Sequence, residues 1–264
     1  MSEVLDRMRR APLMVDKTGM PFTLDAGIPA RAAIGLVVLA TDHTIEHEWR
    51  RIMTLDGVGL YHSRIMNSAS ITPETLKEME RDIAAMTAVI RPGERLDVVA
   101  FGCTSATIVI GEEGVFARIR EARPGVACTT PVTAAVAGFG ALGVRRIALL
   151  TPYVASINHM MRDFIVGRGL EVPVMGSYSH ENDNEVARID AASIRRAALE
   201  LGREPSVEGV FVSCTSLRVA EIAADLEREL GKPVTSSNHA MAWHALRLAG
   251  VQDKLPRWGR LFEV

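Results

Sequence analysis

Two tripeptides carry the most evident chemistry in this sequence: Cys103-Thr104-Ser105 and Cys214-Thr215-Ser216. Each follows a run of strand-forming residues, Asp97-Val98-Val99-Ala100-Phe101 in one case and Gly209-Val210-Phe211-Val212 in the other, and each precedes a helical pattern. A thiol in that position lies at the carboxyl end of a strand, where open α/β folds bind their ligands. The backbone N–H groups and hydroxyls that follow it form an anion cradle at a helix start. The same environment favours thiolate, so lowered thiol pKa values are expected. Two thiols on opposite faces of a planar intermediate can act as base and acid at the carbon beside a carboxylate, with donors aimed at the enediolate oxygens. Alternatively, a thiolate can add to a C=C bond, allow rotation and leave, which gives cis–trans isomerisation. Neither route calls for a metal or a cofactor, and none is expected. A single buried cysteine would be read as packing; two in matched loops point to function. Cys128 lacks a matching loop and reads as a packing residue.

The elements that must position these loops alternate along the chain. Strands are expected at 33–40, 59–65, 96–101 and 126–129, with helices at 45–54, from Thr72 to about Val89, from the turn at 102–107 through Arg120, and at 131–142. The pattern then starts again, with strands at 146–150, 171–177, 207–212 and 233–236 and helices at 153–168, 190–201, 218–230 and 240–249. Strict alternation argues for parallel sheets with right-handed crossovers, and near-continuous apolar runs such as Ala33–Ala40 fit strands covered on both faces. The fold class is therefore α/β, with two pseudo-symmetric lobes, each a parallel sheet flanked by helices. Residues 1–30 are expected to form an N-terminal extension, 31–142 the first lobe and 143–264 the second, with the final helix free to cross back onto the first.

Bulk properties narrow the function classes. The chain is 48% hydrophobic and 23% charged, with 30 basic against 32 acidic residues, which is ordinary globular composition. This balance argues against a nucleic-acid surface or a polybasic membrane anchor. No apolar run is long enough to span a bilayer, and no signal-peptide h-region is visible. Three cysteines are not a disulfide scaffold, so reduced thiols and a cytoplasmic location are expected. No GxGxxG follows a strand and no GxxxxGK[ST] occurs, so nucleotide use is not expected.

Asp42 and His43 stand at the end of the first strand. The pair could bind an amino group or orient a carboxylate; equally, Asp42 or Thr44 could cap the next helix beside a solvated histidine. His47 and Glu48 read as a solvated helix face. Tyr153, in Thr151-Pro152-Tyr153, reads as a site residue more readily than as a helix-start aromatic. Ser237 and Asn238 read as caps of the last helix, and Trp243 and His244 as core.

With both loops in view, the sequence resembles the aspartate/glutamate racemase superfamily, in the branch of maleate isomerases and arylmalonate decarboxylases. The resemblance rests also on Gly143–Ala148, Thr151–Tyr153, Ala187–Asp190 and Pro233–Asn238. Within the branch it is nearest to the ectoine utilisation protein EutA, through Leu39–Thr44 and Gly102–Gly111. It implies that Cys103 and Cys214 are the two catalytic cysteines, that Tyr153 hydrogen-bonds a substrate carboxylate, and that Thr104, Ser105, Thr215 and Ser216 hold carboxylate oxygens. Arylmalonate decarboxylases keep glycine at the first cysteine, so Cys103 counts against a simple decarboxylase. Maleate isomerases have a Ser-Asn-Thr turn where this chain has Asp42-His43-Thr44, a departure that points away from maleate itself. A second substrate-contacting asparagine of the isomerases falls near Asn182. The resemblance implies a cofactor-independent isomerase or racemase acting on a small carboxylate, in ectoine catabolism, as a homo-oligomer (dimer or tetramer). An arylmalonate-type lyase and a non-catalytic carboxylate-binding protein are the alternatives.

Overall fold

The first strand, β1 (Ala32–Leu39), is buried along its whole length, as expected of a strand with neighbours on both edges and helices on both faces. The computed structural model describes residues 17–180 and 182–264. The first sixteen residues of the expected N-terminal extension lie outside the described residues; Lys17–Ala30 is largely exposed and has neither helix nor strand.

β1 pairs in parallel with β2 (Val58–Ile65) on one edge and β3 (Val98–Gly102) on the other, and β3 pairs with β4 (Ala127–Thr129). The second half repeats this arrangement with β5 (Arg146–Thr151), β6 (Glu171–Ser177), β7 (Gly209–Val212) and β8 (Val234–Ser236). The two four-stranded sheets have the matching orders β2-β1-β3-β4 and β6-β5-β7-β8. In each sheet the chain leaves the first strand toward one edge and returns on the other side, which opens a crevice at the carboxyl ends of the first and third strands. Cys103 follows β3 and Cys214 follows β7, so each cysteine lies at such a switch point. The α/β two-lobe architecture expected from the sequence is the one observed.

The helices differ from expectation in three places. The helix expected from Thr72 to Val89 is divided into α2 (Pro73–Glu78), a 3₁₀ turn at Met79–Asp82 and α3 (Ile83–Ala88). Its start is at the expected place: Thr72 caps it, and Thr75 completes a reciprocal capping box where glutamate is commoner. The helix expected to follow a turn at 102–107 begins instead at once, as α4 (Thr104–Ile110), and a new helix, α5 (Glu112–Ala122), starts after Gly111. Gly111 has φ 90° and ψ 141°, a conformation that side chains with a Cβ rarely adopt. After Cys214 the chain makes a turn, and α10 (Ala220–Leu230) begins two residues beyond the start expected at 218. The remaining helices are α1 (Ile45–Ile52), α6 (Pro131–Ala141), α7 (Ala155–Gly167), α8 (Asp183–Val186), α9 (Ala191–Gly202) and α11 (Ser237–Leu248).

Helix α11 packs against α6, α1 and the first sheet, although it follows the last strand of the second. It is buried over most of its length, including Ser237, Asn238 and His239. Among the described residues, no helix is long and apolar enough to cross a membrane.

The break at Gly111 makes a direct prediction. Gly111→Ala places a Cβ in a glycine-only region of backbone and is expected to destabilise the chain by about 1–3 kcal/mol, read as a lower midpoint in urea denaturation. An unchanged midpoint would mean that the helix break is not imposed by this conformation.

Candidate active site

Cys103 and Cys214 line one small cavity between the lobes, together with Thr104, Ser105, Tyr153, Thr215 and Asp183. The first lobe closes the other side through Leu39 and residues of the segment 67–79, among them Asn67, Ile71 and Met79. The cavity measures about 20 Å³, room for roughly one water.

Cys103 is the N-cap of α4. Its Sγ accepts the Ala106 N–H at 3.4 Å, and Ser105 Oγ is 3.8 Å away. Cys214 is held differently. Its φ is 136°, a strained value for a residue with a side chain, and its N–H donates to Ser237 Oγ at 3.0 Å. Ser237 Oγ is also 2.9 Å from Thr104 Oγ1. With Ser237 accepting from Cys214, its own hydrogen can go to Thr104, which leaves the Thr104 hydrogen free for the cavity. One hydroxyl thus couples the two cysteine loops.

The expectation that both thiols are acidified does not hold in the empty site. Burial pushes the Cys103 thiol up to about 12, against the opposing Ala106 N–H and Ser105 hydroxyl. Cys214 is raised as well, first by burial and then by the charge of Asp183, with the Tyr153 hydroxyl and the Ser216 N–H opposing. The helix start at Cys103 and the turn N–H at Cys214 both favour thiolate, but by less than desolvation opposes it, because both sulfurs are almost fully enclosed. Tyr153 is likewise raised far above its ordinary value by burial and remains a donor. Its N–H donates to Thr151 Oγ1, and its carbonyl accepts from Asn158 Nδ2 and Ser177 Oγ.

The other sequence-derived candidates fall in different places. Ser216 does not line the cavity; its Oγ donates to Asp183 Oδ1 at 2.9 Å. Asp42 is buried outside the lining: its Oδ1 accepts the Thr44 and Ile45 N–H groups at 2.7 and 2.8 Å, just ahead of α1, whose N-cap is Thr44. His43 is exposed, with Nε2 3.0 Å from Asn184 Oδ1, and takes no part in the lining. Asn182 is exposed and caps α8, accepting the Glu185 N–H. Its neighbour Asp183 points into the cavity instead, because Asp183 N–H bonds Ala69 O while residue 182 bridges Ser70 across the lobes. The alternation of that short bridge decides which residue of the pair reaches the site. Cys128 is buried away from the cavity and bonds Val126 O.

Sequence reasoning missed Glu48, which is not on a solvated face. It is buried on α1 and reaches the second lobe, where Oε1 accepts the Val219 and Ala220 N–H groups at 2.7 and 2.8 Å, the start of α10. Its Oε2 accepts from Asn238 Nδ2 at 2.8 Å, and the same Nδ2 is 2.7 Å from Thr215 O. Trp49 Nε1 donates to Asn238 O. Ser237 and Asn238 therefore hold the Cys214 loop, while the last helix is capped by Ser236. Burial pushes Glu48 up to about 7, with Asn238 and the two N–H groups opposing and the Asp42 charge adding to it. His47, one residue before, is exposed.

Two parallel-sheet lobes, each offering a Cys-Thr-Ser loop to a shared cavity, define a class of two-thiol α/β proteins. A family model described as arylmalonate decarboxylase matches residues 62–262, and the chain belongs to that family. It is 37% identical over 147 residues to the arylmalonate decarboxylase of Bordetella bronchiseptica, a match that spans 55% of this chain and 61% of that enzyme. It is 27% identical over 242 residues to the maleate isomerase of Nocardia farcinica, covering 86% of this chain and 94% of that one. In fold it is similar to the maleate isomerase Iso of Pseudomonas putida S16 (TM-score 0.79, 22% identity, 88% of this chain and 98% of that one). A liganded, doubly substituted arylmalonate decarboxylase gives a TM-score of 0.77 at 29% identity, over 88% of this chain and 99% of that one.

The Glu48 carboxylate makes stability depend on pH. Its folded-state pKa lies above its unfolded value, so the folded state binds the proton more tightly. That contribution is complete below about pH 4.5 and is lost as pH rises through about 7. Between about pH 4.5 and about pH 8, Glu48→Gln should gain about 3 kcal/mol relative to the unsubstituted chain, measured as the difference in urea unfolding free energy. A difference that does not change with pH would contradict the buried, proton-sharing Glu48.

Proposed function

We propose that this chain is a cofactor-independent isomerase or racemase in which Cys103 and Cys214 act from opposite sides of a small carboxylic acid. The observation that carries this reading is the shared cavity: both sulfurs line it, together with the donors Thr104, Ser105, Thr215 and Tyr153 and the Asp183 carboxyl group. In proton transfer, one cysteine as thiolate takes the α-hydrogen, and the C–H electron pair moves into an enediolate. Hydroxyl and N–H donors stabilise the charge on its oxygens. The opposite thiol gives its proton to the other face and is left as thiolate, so the pair is reset by one exchange with solvent. With an unsaturated acid, the same thiolate adds to the C=C bond, the new single bond rotates, and elimination returns the isomer and the thiolate. A Cys-to-Ser variant of the Nocardia farcinica maleate cis–trans isomerase has been solved with a covalently bound succinylcysteine intermediate, which supports the addition route as the form this chemistry takes on an unsaturated substrate.

A decarboxylase reading is favoured by the 37% identity to the Bordetella bronchiseptica enzyme. Cys103 argues against it, because release of CO₂ needs only one proton donor and this cavity holds two thiols. The ectoine subgroup resemblance supports a place in ectoine catabolism and a cytoplasmic setting. A homo-oligomer is supported by the exposed apolar side chains Met20, Phe22, Leu24 and Ile28 on the N-terminal arm.

Proton NMR in D₂O with a panel of small carboxylic acids should show α-proton exchange or isomer formation, without release of CO₂. Cys103→Ser and Cys214→Ser should each lower the rate by about 10²-fold or more. Full activity in either variant would overturn the two-thiol mechanism, and CO₂ release by Cys103→Gly without exchange would establish the lyase instead.

A further inference from the structure

Glu48 carries its charge where charge is costly. It is 2% exposed, the Asp42 carboxyl group opposes its ionisation, and among the described residues it forms no ion pair. A glutamine would fill the same space without that cost. What a carboxylate offers and an amide does not is two accepting oxygens. Three donors converge on them: the Val219 and Ala220 N–H groups on Oε1 and Asn238 Nδ2 on Oε2. The third donor is shared. Asn238 Nδ2 gives one hydrogen to Glu48 at 2.8 Å and the other to the Thr215 carbonyl at 2.7 Å, while Asn238 Oδ1 is buried with no partner.

That arrangement requires Oε2 to be an acceptor. A proton on Oε1 would face two N–H groups, so a neutral Glu48 carries its proton on Oε2, and a glutamine places its Nε2 there for the same reason. Either one turns the partner of Asn238 into a donor. The Asn238 amide then turns end for end and brings Oδ1 to the place of Nδ2. Position 48 regains a partner, and the unpaired Oδ1 is satisfied. The Thr215 carbonyl, however, then faces an oxygen in place of its donor. Thr215 lines the cavity, hydrogen-bonds Asp42 through its side chain, and follows Cys214, whose backbone sits at a φ of 136°.

Resting on the two-thiol reading above, we infer that Glu48 is a positioning residue for Cys214: its carboxylate aims the Asn238 amide at Thr215 and so fixes the second cysteine loop, and its neutral form releases that loop. The groups around it leave this control to Glu48 itself. Asp42, ahead of α1, opposes its ionisation. Glu221 on α10 is paired with Arg51 of α1, and Arg218 donates to the Ile189 carbonyl. His239 on α11 is kept neutral by burial and bonds Thr235 and the Trp258 carbonyl, and burial keeps the Cys214 thiol protonated. The first lobe's other hold on the loop, Thr44 Oγ1 to the Ser216 carbonyl, does not titrate. Burial raises Glu48 to about 7, so the loop's state follows pH in the neutral range.

The test compares the unsubstituted full chain with Glu48→Gln by amide hydrogen exchange and by turnover. At about pH 8 the variant should be the more stable of the two in urea. Its Cys214 and Leu217 amides should nevertheless exchange about tenfold faster or more, relative to the Val210 amide of β7. Lowering the unsubstituted chain from about pH 8 to about pH 6 should loosen the same amides, after correction for intrinsic rates, and should leave the variant unchanged. Turnover is followed by NMR in D₂O with maleate, malate and alanine as probes. For any probe that reacts, kcat should fall about tenfold or more in the variant, with KM within about twofold. A purely structural role would instead lower stability and turnover together. Equal loop protection in the two proteins, a variant less stable than the unsubstituted chain at about pH 8, or full turnover in the variant would each overturn the inference. If the unsubstituted chain turns over none of the probes, that failure belongs to the two-thiol reading, and the exchange comparison still decides the role of Glu48.

Discussion

A carboxylate that crosses from one lobe to the other sets the geometry on which the site depends. Glu48 leaves the first lobe on α1 and accepts two N–H groups at the start of α10 and the amide of Asn238. Asn238 in turn holds the carbonyl of Thr215, and Ser237 beside it ties the Cys214 backbone to Thr104. The two cysteine loops belong to separate sheets, yet a few buried hydrogen bonds from one acid and one helix start fix their relation. Those bonds also hold Cys214 at its strained φ of 136°, which a looser loop would relax. In such surroundings a buried acid is as much a constraint on register as a source of stability.

The site works against a second constraint, its dryness. Enclosure raises both thiols and Tyr153, so the resting site is neutral at its sulfurs. Any base must be generated when the ligand binds. Closed walls then strengthen every charge interaction inside, which makes the sign of the ligand's own charge decisive.

Much of this was legible in the sequence. The repeat of apolar strands and the paired Cys-Thr-Ser loops gave the two-lobe α/β fold, because buried parallel strands leave a strong composition signal. Local signals were weaker where tertiary contacts decide. Glu48 looks like part of a charged helix face, and only the second lobe's packing buries it. Asn182 and Asp183 are adjacent, and a cross-lobe bridge at Ser70 determines which one enters the cavity. Thiol acidity was misjudged because a helix start can be read from sequence, while depth of burial cannot. The cavity wall at 67–79 carries no chemical motif: the sequence shows there only the stretch before the helix expected from Thr72 and that helix's first turns.

The central claim is that both sulfurs address one reacting carbon. A crystal structure of the Cys103→Ser or Cys214→Ser protein with a turned-over acid trapped in the cavity tests it most directly. The account predicts the ligand between positions 103 and 214, with the remaining sulfur and the serine oxygen each within about 4 Å of the same carbon, on opposite faces. A ligand that touches one of the two positions alone, or that lies outside the cavity, would contradict it.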